Sequence, residues 1–301
     1  MSNELLSICI PTRNRAKFLR EILAEFARQI SAGKIGADKV VFYISDNASD
    51  DNETPGIISE FEKQVPKAVC SRNEVNLGAD GNNVHVRTLA NGKYLWVIGD
   101  DELLDPRAVT TVLKLIEEHN PGLIVAFDTN YDLKVPVPQV FPDYRAFAKE
   151  CVRFNTHALA EHTLISCNIF RADCYDIELG KKTVDANFPH MFGMIRPLMK
   201  NNAAVVLPKT PVITVRKVGR PGPPDGHWVD LDVAWLNYFK WLRDELQLPE
   251  LDPTAPNASA REVMIEKMKK HPIQFLANNW RSLFQPQAYR FVFNRFFRKV
   301  R

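Results

Sequence analysis

From Leu5 to Phe127 the chain repeats one unit: a short apolar run, a polar loop rich in Asp, Asn, Ser and Gly, then an amphipathic stretch of helical period. Leu5–Ile10, Val40–Ile44, Lys67–Ser71, Tyr94–Ile98 and Leu123–Phe127 read as strands, with Ala16–Ile30, Pro55–Val65, Ala79–Leu89 and Pro106–His119 as the helices between them. In the first helix Phe18, Ile22, Phe26 and Ile30 recur every four residues and give it one apolar face. Strands alternating with helices of about ten to fifteen residues require crossover connections, which build a doubly wound, mostly parallel α/β sheet covered on both faces.

After Asp128 the alternation weakens. Residues 131–145 carry Pro136, Pro138 and Pro142 and read as loop or edge structure. Phe147–Leu159 and His190–Lys200 read as helices, and Leu164–Phe170 and Ala203–Leu207 as strands. A Gly/Pro-rich loop spans 216–230, and Val233–Leu246 and Arg261–Lys270 are helical in pattern. A boundary therefore falls near residue 215, between an α/β domain over 1–215 and a loop with a helical, basic extension over 216–301.

In a parallel sheet a ligand binds outside the carboxyl ends of the strands, so the loop after each strand is the place to seek chemistry. Four such loops are unusually polar: Pro11-Thr12-Arg13-Asn14-Arg15, Ser45-Asp46-Asn47-Ala48-Ser49-Asp50-Asp51, Arg72-Asn73-Glu74-Val75-Asn76-Leu77-Gly78, and Gly99-Asp100-Asp101-Glu102. The last is the most telling. Tyr94–Ile98 is apolar throughout yet delivers three consecutive carboxylates, which repel one another unless a cation neutralises them. Hard oxygen ligands of this kind suit Mg²⁺ or Mn²⁺, which keeps water and substrate phosphate in its remaining positions. Neither G-x-G-x-x-G after the first strand nor G-x-x-x-x-G-K-[ST] anywhere occurs, which argues against a dinucleotide dehydrogenase and a P-loop NTPase.

The ordered set S-I-C-I-P-T-R-N-R, I-S-D-N-A-S-D-D, N-E-V-N-L-G-A-D-G-N-N and Y-L-W-V-I-G-D-D-E-L-L-D-P resembles the family 2 glycosyltransferases of the GT-A fold, and within them the abequosyltransferase-like branch acting on bacterial surface polysaccharide. The resemblance covers residues 4–130 and continues more loosely to Trp228. It implies a nucleotide-diphosphate sugar donor, a glycan or lipid-linked acceptor and a divalent metal. By position it implies that Pro11, Thr12 and Arg13 line the nucleotide, that Asp46 meets the base, and that Asn76 and Gly78 lie near base and ribose. The family's D-x-D motif falls on Gly99-Asp100-Asp101, with glycine in place of its first Asp. Asp101 is then the metal ligand, and Asp100 or Glu102 is left to supply the missing contact. Inverting members present a base at the start of a helix in the second half of the domain, which here points to His190 or to Asp185 just before it. Arg216 and Arg220 of the mobile-looking basic loop can neutralise the diphosphate leaving group, and His227 is a further metal candidate. The processive signature Q-x-x-R-W is absent, in keeping with transfer of one sugar per acceptor. Two rivals stand beside this reading. A sugar nucleotidylyltransferase needs a glycine-rich basic loop after the first strand, which Pro11–Asn14 is not; an inactive nucleotide-sugar-binding scaffold takes Gly99 as the first sign of decay.

Charge separates the two parts of the chain. Nine of the 39 Lys and Arg follow Glu266 with no acid among them, leaving 30 cations against 36 acids before it. From Pro286, Tyr289, Val292, Phe293, Phe296, Phe297 and Val300 occupy one helical face and Arg290, Asn294, Arg298 and Arg301 the other, the pattern of a helix lying in an anionic membrane surface or packing its aromatic face on the domain. No nucleic-acid module accompanies the charge. No run suits a membrane span or a signal peptide, and the five unpaired-looking cysteines, Cys9, Cys70, Cys151, Cys167 and Cys174, suit reduced thiols, so the expected location is cytoplasmic, peripheral on the inner face of the cell membrane. Deleting residues 286–301 is expected to abolish co-sedimentation with anionic liposomes; unchanged sedimentation assigns that face to ordinary packing.

Overall fold

The computed structural model describes residues 4–33, 39–126, 140–154, 157–186, 188–214, 216 and 228–255. In chain order its elements are β1 (Leu6–Thr12), α1 (Ala16–Ser31), β2 (Val40–Asp46), α2 (Thr54–Gln64), β3 (Val69–Arg72), α3 (Gly78–Leu89), β4 (Tyr94–Val97), β5 (Leu103–Leu104), α4 (Ala108–His119), β6 (Leu123–Val125), β7 (Val140–Phe141), α5 (Tyr144–Phe154), α6 (His157–Glu161), β8 (Asn168–Arg171), α7 (Ile177–Lys182), α8 (Pro189–Lys200), β9 (Val205–Val206), β10 (Ile213–Thr214) and α9 (Trp228–Leu246). Residues 1–216 and 217–301 form two compact units.

In the first unit, side chains alternate across each strand. Leu6, Ile8 and Ile10 of β1 share one core with Leu19, Ile22, Leu23 and Phe26 of α1, Ile57 and Phe61 of α2, and Val109, Val112 and Ile116 of α4. Cys9 of β1, Tyr43 of β2 and Val97 of β4 turn to the opposite face and meet Val86 of α3. Helices therefore cover both faces, and α7 and α8 pack beside α3. The strand order is β3-β2-β1-β4-β8-β6-β9-β7. β1 to β4 pair in parallel, which brings their carboxyl ends to one edge.

Beyond β4 the sheet departs from simple winding. Leu123–Phe127, expected as the next strand, is described as β6 over Leu123–Val125, and β8 lies between it and β4, antiparallel to both. Apolar periodicity reports burial and not the identity of the neighbour, so this insertion is invisible in the sequence pattern. The expected strand Leu164–Phe170 is half a strand: Ile165–Cys167 is a 3₁₀ turn, and pairing begins at Asn168. Ser166 is drawn out of the ladder by two partners from the β4 end, its carbonyl accepting from Trp96 Nε1 at 2.8 Å and its hydroxyl from the Gly99 amide at 3.0 Å. The expected helix Phe147–Leu159 is two, α5 and α6.

A small antiparallel ribbon positions the site. β10 pairs with β5, Ile213 opposite Leu104 and Thr214 opposite Leu103, which carries Arg216 back to the loop after β4. All five cysteines are free thiols. In the second unit α9 begins at Trp228, earlier than the expected Val233, and sets Tyr238 edge-on to Phe239 and tilted to Trp241, at 5.0 and 5.9 Å between ring centroids. The expected helix 261–270 and the aromatic tail 286–301 lie outside the described residues. No helix among the described residues is long and apolar enough to cross a membrane.

Phe42, central in β2, meets Phe26 of α1 and Phe61 of α2 edge-on at 4.9 and 5.5 Å. It joins sheet and helices on the face that supports the first two loops, so Phe42→Ala should destabilise the protein by about 3–5 kcal/mol, read from urea unfolding.

Candidate active site

The four loops foreseen at the carboxyl ends of β1 to β4 do converge, and hydrogen bonds run between them. From β1, the buried Thr12 hydroxyl donates to Asp100 Oδ2 at 2.7 Å. The Asn47 amide at the end of β2 donates to the Thr12 carbonyl at 2.9 Å. Pro11, the residue before, is half-buried in β1.

Arg13 braces the first loop against the second. Its guanidinium donates to the Asn47 carbonyl at 2.7 Å and to the Ala48 carbonyl, and lies 3.6 Å from the Asp50 carboxylate. Ala48 adopts a left-handed conformation, φ 54°, in the turn whose carbonyls Arg13 holds.

Asp46 is 2% exposed, so it is not a bare carboxylate at the surface. Its Oδ1 accepts from the Ser49 amide at 2.9 Å and its Oδ2 takes the Arg72 guanidinium, which also donates to the Ser49 carbonyl at 2.6 Å. Arg72, to which the sequence attaches no role, is half-exposed while it pairs with the buried Asp46. Asn47 knits the second and third loops together. Its Nδ2 donates to Asn76 Oδ1 at 2.8 Å and the Gly78 carbonyl at 3.1 Å, and its Oδ1 accepts from the Leu77 amide at 2.8 Å and Asn73 Nδ2 at 3.1 Å. All four hydrogen-bonding positions of that side chain are filled. Gly78 has φ 75°, the left-handed region that a β-carbon disfavours, and opens α3.

At the end of β4, Asp100, Asp101 and Glu102 are 3%, 5% and 5% exposed, so the triplet is not a solvated turn. Arg15 supplies a cation: its Nη1 lies 2.9 Å from Asp100 Oδ1 and 2.9 Å from Asp101 Oδ2. Burial pushes the Asp100 carboxyl above its ordinary value, while Arg15 and the Thr12 hydroxyl pull it back. Burial works against the Arg15 charge, but Asp100 and Asp101 outweigh it and hold the guanidinium protonated. Glu102 Oε1 accepts from Ser166 Oγ at 3.0 Å. Gly99 has a reason of its own: a β-carbon there would meet Asp101 Oδ1 at 3.1 Å and Glu102 Oε1 at 3.4 Å, so the carboxylates fold back over the space a side chain would need. Arg216 Nε donates to the Asp101 carbonyl at 3.1 Å while its Nη2 pairs with Glu21 at 2.6 Å.

Among the described residues no three His, Cys, Asp or Glu side chains form a cage for a metal ion. The donor set nonetheless fits Mg²⁺ or Mn²⁺. Such an ion needs only one or two carboxylates when phosphate and water complete its shell, and one atom of Arg15 already touches Asp100 and Asp101 together. Arg220 and His227 lie outside the described residues.

His190, at the start of α8, is 6% exposed, and its Nε2 lies 2.9 Å from the Thr163 carbonyl, an acceptor only, so that nitrogen carries the proton. Nδ1 is buried with no hydrogen-bond partner. Burial, helped by Arg87, pushes its pKa down to about 3, which favours the neutral ring. The contact ties α8 to the segment bearing Ser166. Asp185 is exposed on the 3₁₀ turn leading into α8. A cavity of about 360 Å³ is lined by Val184 of that turn and by Gly81, Val84, His85 and Thr88 of α3, with Lys181 of α7.

Asp80 was not singled out in the sequence. It sits in the first turn of α3, within N-E-V-N-L-G-A-D-G-N-N, and burial lifts its carboxyl to about 6 against the opposing pull of Arg87 and Asn83. A polar residue in the first helical turn reads as a dipole partner, and nothing local signals its burial.

A model of the family described as Glycosyl transferase family 2 matches residues 7–159. The abequosyltransferase RfbV of Salmonella typhimurium strain LT2 is 40% identical over 101 residues, a stretch that spans 33% of this chain and 29% of that protein. Among solved structures, S. aureus TarS 1-349 in complex with UDP-GlcNAc superposes with TM-score 0.55 at 16% identity, covering 91% of this chain and 79% of that one. The mannosyltransferase PcManGT from Pyrobaculum calidifontis, in complex with GDP-Man and Mn²⁺, gives TM-score 0.52 at 13% identity over 95% and 82%. At such identities the likeness is one of fold.

The raised carboxyl of Asp80 has a sign that can be checked. The fold favours its protonated form, so its burial is harmless below about pH 4, and stability is lost as pH rises from the ordinary 3.8 through about 6. Asp80→Asn should therefore be more stable than the parent at pH 7.5, by about 1–2 kcal/mol after discounting for partial exposure, and no more stable at pH 4, by urea unfolding at both values.

Proposed function

Because the chain belongs to glycosyltransferase family 2, we propose that it moves one sugar from a nucleotide-diphosphate donor to a glycan or lipid-linked acceptor in bacterial surface polysaccharide synthesis, with inversion and with a divalent metal. The single observation that carries this is the buried pair Asp100 and Asp101, opened toward one cation at the meeting point of four loops. The relative named an abequosyltransferase supports the polysaccharide setting, and the neighbours holding UDP-GlcNAc or GDP-Man with Mn²⁺ support the donor class. Family membership leaves no room for the nucleotidylyltransferase rival.

Asp101 and Asp100 would hold Mg²⁺ or Mn²⁺. When bound, that ion offsets the charge gathering on the departing nucleotide diphosphate. The chain's own residues do the rest. Thr12 fixes one oxygen of Asp100, leaving the other directed at the cation position. The Arg72, Asn47 and Asn76 corner provides donors and acceptors for the nucleoside, with Asp46 holding Arg72 in place. Arg216, tethered to the Asp101 carbonyl, lies beside the acidic loop as a counter-charge for phosphate, with Arg220 in the same role and His227 as a further metal ligand. With the His190 ring held neutral at its own buried contact, Asp185 is the carboxylate that takes the acceptor hydroxyl's proton. A second reading gives that role to Asp80, whose pKa of about 6 is matched to neutral pH.

The division at about residue 215 assigns donor binding and catalysis to residues 1–215, and loop closure and membrane approach to residues 216–301. With donor and acceptor supplied, Asp101→Ala should abolish sugar transfer while the far-UV CD spectrum is kept, and Asp185→Asn should lower kcat about 10²–10⁴-fold. Full turnover in Asp101→Ala would remove the metal role. Full turnover in Asp185→Asn, with loss in Asp80→Asn and a pH profile rising through 6, would transfer the base role to Asp80.

A further inference from the structure

Arg15 occupies an unusual place for a surface arginine. It immediately precedes α1, with its carbonyl accepting from the Leu19 amide at 3.0 Å, so its backbone is anchored at the rim of the cleft. Its side chain is 40% exposed, yet its tip reaches carboxylates that are 4% and 7% exposed and touches both with the same nitrogen. Phe18, one helical turn along, lies under the guanidinium at 5.5 Å from the ring centroid, and Arg216 lies over the same ring at 5.2 Å. The guanidinium thus has an aromatic face to rest against when it leaves the carboxylates. Arg216 differs in kind. Its bonds go to a backbone carbonyl and to Glu21.

We propose that Arg15 is a tethered counter-ion that competes with the divalent cation for the Asp100–Asp101 pair. In the empty site it neutralises the two carboxylates. Arrival of metal with donor frees the guanidinium, which swings along Phe18 and becomes available to the donor's diphosphate. Metal affinity is then low without donor and rises when the diphosphate offers Arg15 a new partner, so ion and donor bind as a pair. The inference rests on the metal role of Asp101 argued above.

The test titrates Mn²⁺ into the full-length protein without donor, following loss of the free-ion EPR signal, for the parent, Arg15→Gln, Arg15→Lys, Asp101→Asn and the double variant Arg15→Gln/Asp101→Asn. Arg15→Gln is expected to bind Mn²⁺ at least tenfold more tightly than the parent, and the double variant to lose that gain. Arg15→Lys, whose compact ammonium lacks the forked geometry, is expected to fall between parent and Arg15→Gln, and it carries the test if Arg15→Gln fails to fold. Melting in EDTA and in Mn²⁺ gives a second reading: the Mn²⁺-induced rise in Tm should be larger for Arg15→Gln than for the parent. Equal or weaker Mn²⁺ binding in the Arg15 variants overturns the inference. If Asp101→Asn alone abolishes binding while Arg15→Gln matches the parent, the metal role stands and only the part given to Arg15 falls. Binding that is indifferent to Asp101 removes both.

Discussion

Burying three successive carboxylates at the end of an apolar strand is the constraint around which the first unit is arranged. Taking even one ion out of water costs several kcal/mol after relaxation, and the cost is tolerable only where partners surround it. β4 is buried along its whole length and ends in Asp100, Asp101 and Glu102, none more than 5% exposed. Several neighbouring elements supply partners to this loop. β1 sends the Thr12 hydroxyl and the start of α1 sends the Arg15 cation to its carboxylates, the turn before β8 sends the Ser166 hydroxyl to Glu102, and the β5–β10 ribbon returns Arg216 to the Asp101 backbone. The insertion of an antiparallel β8 beside β4 and the bare backbone at Gly99 both belong to that solution. The first brings Ser166 to the loop, and the second leaves room for carboxylates to fold back.

A second system lies at the β2 and β3 ends, and it is built from amides. Asn47, with all four of its hydrogen-bonding positions filled, fixes the loop that carries Asn76 and Gly78, while Asp46 holds Arg72 from below. The two systems differ in chemistry: three buried carboxylates follow β4, whereas side-chain amides, with the single Asp46–Arg72 ion pair, join the loops after β2 and β3. Pre-formed loops of this kind keep the ordering of the site out of the binding step.

Much of this was legible in the chain. The strand and helix alternation gave the sheet, its parallel half and the edge on which the loops meet, because burial imposes a period that the sequence must carry. The motifs after β1 to β4 were readable for the same reason, since short polar loops between apolar runs are visible in any register. What could not be read was partnership. The bonds by which Arg13 braces the second loop have no sequence signature. The pairing of Asp46 with Arg72, 26 residues on, has none either. The burial of His190 and its Nε2 contact to the Thr163 carbonyl are likewise unseen in the sequence, because solvation sets a histidine's strength and sequence does not report solvation. Asp80 carries no sequence signal for the same reason, its raised carboxyl being a product of burial.

The sequence by itself determined the α/β class, the family and the four loops that make the cleft, all of them consequences of local pattern and residue type. Tertiary structure alone decided which strand lies beside β4, which carboxylates are buried and which arginine meets them. Those outcomes depend on contacts between residues as far apart as Arg15 and Asp101, or Asp101 and Arg216, and on the loss of water around them. Desolvation and long-range pairing are properties of the packed molecule, and they are what turn a polar loop into a site.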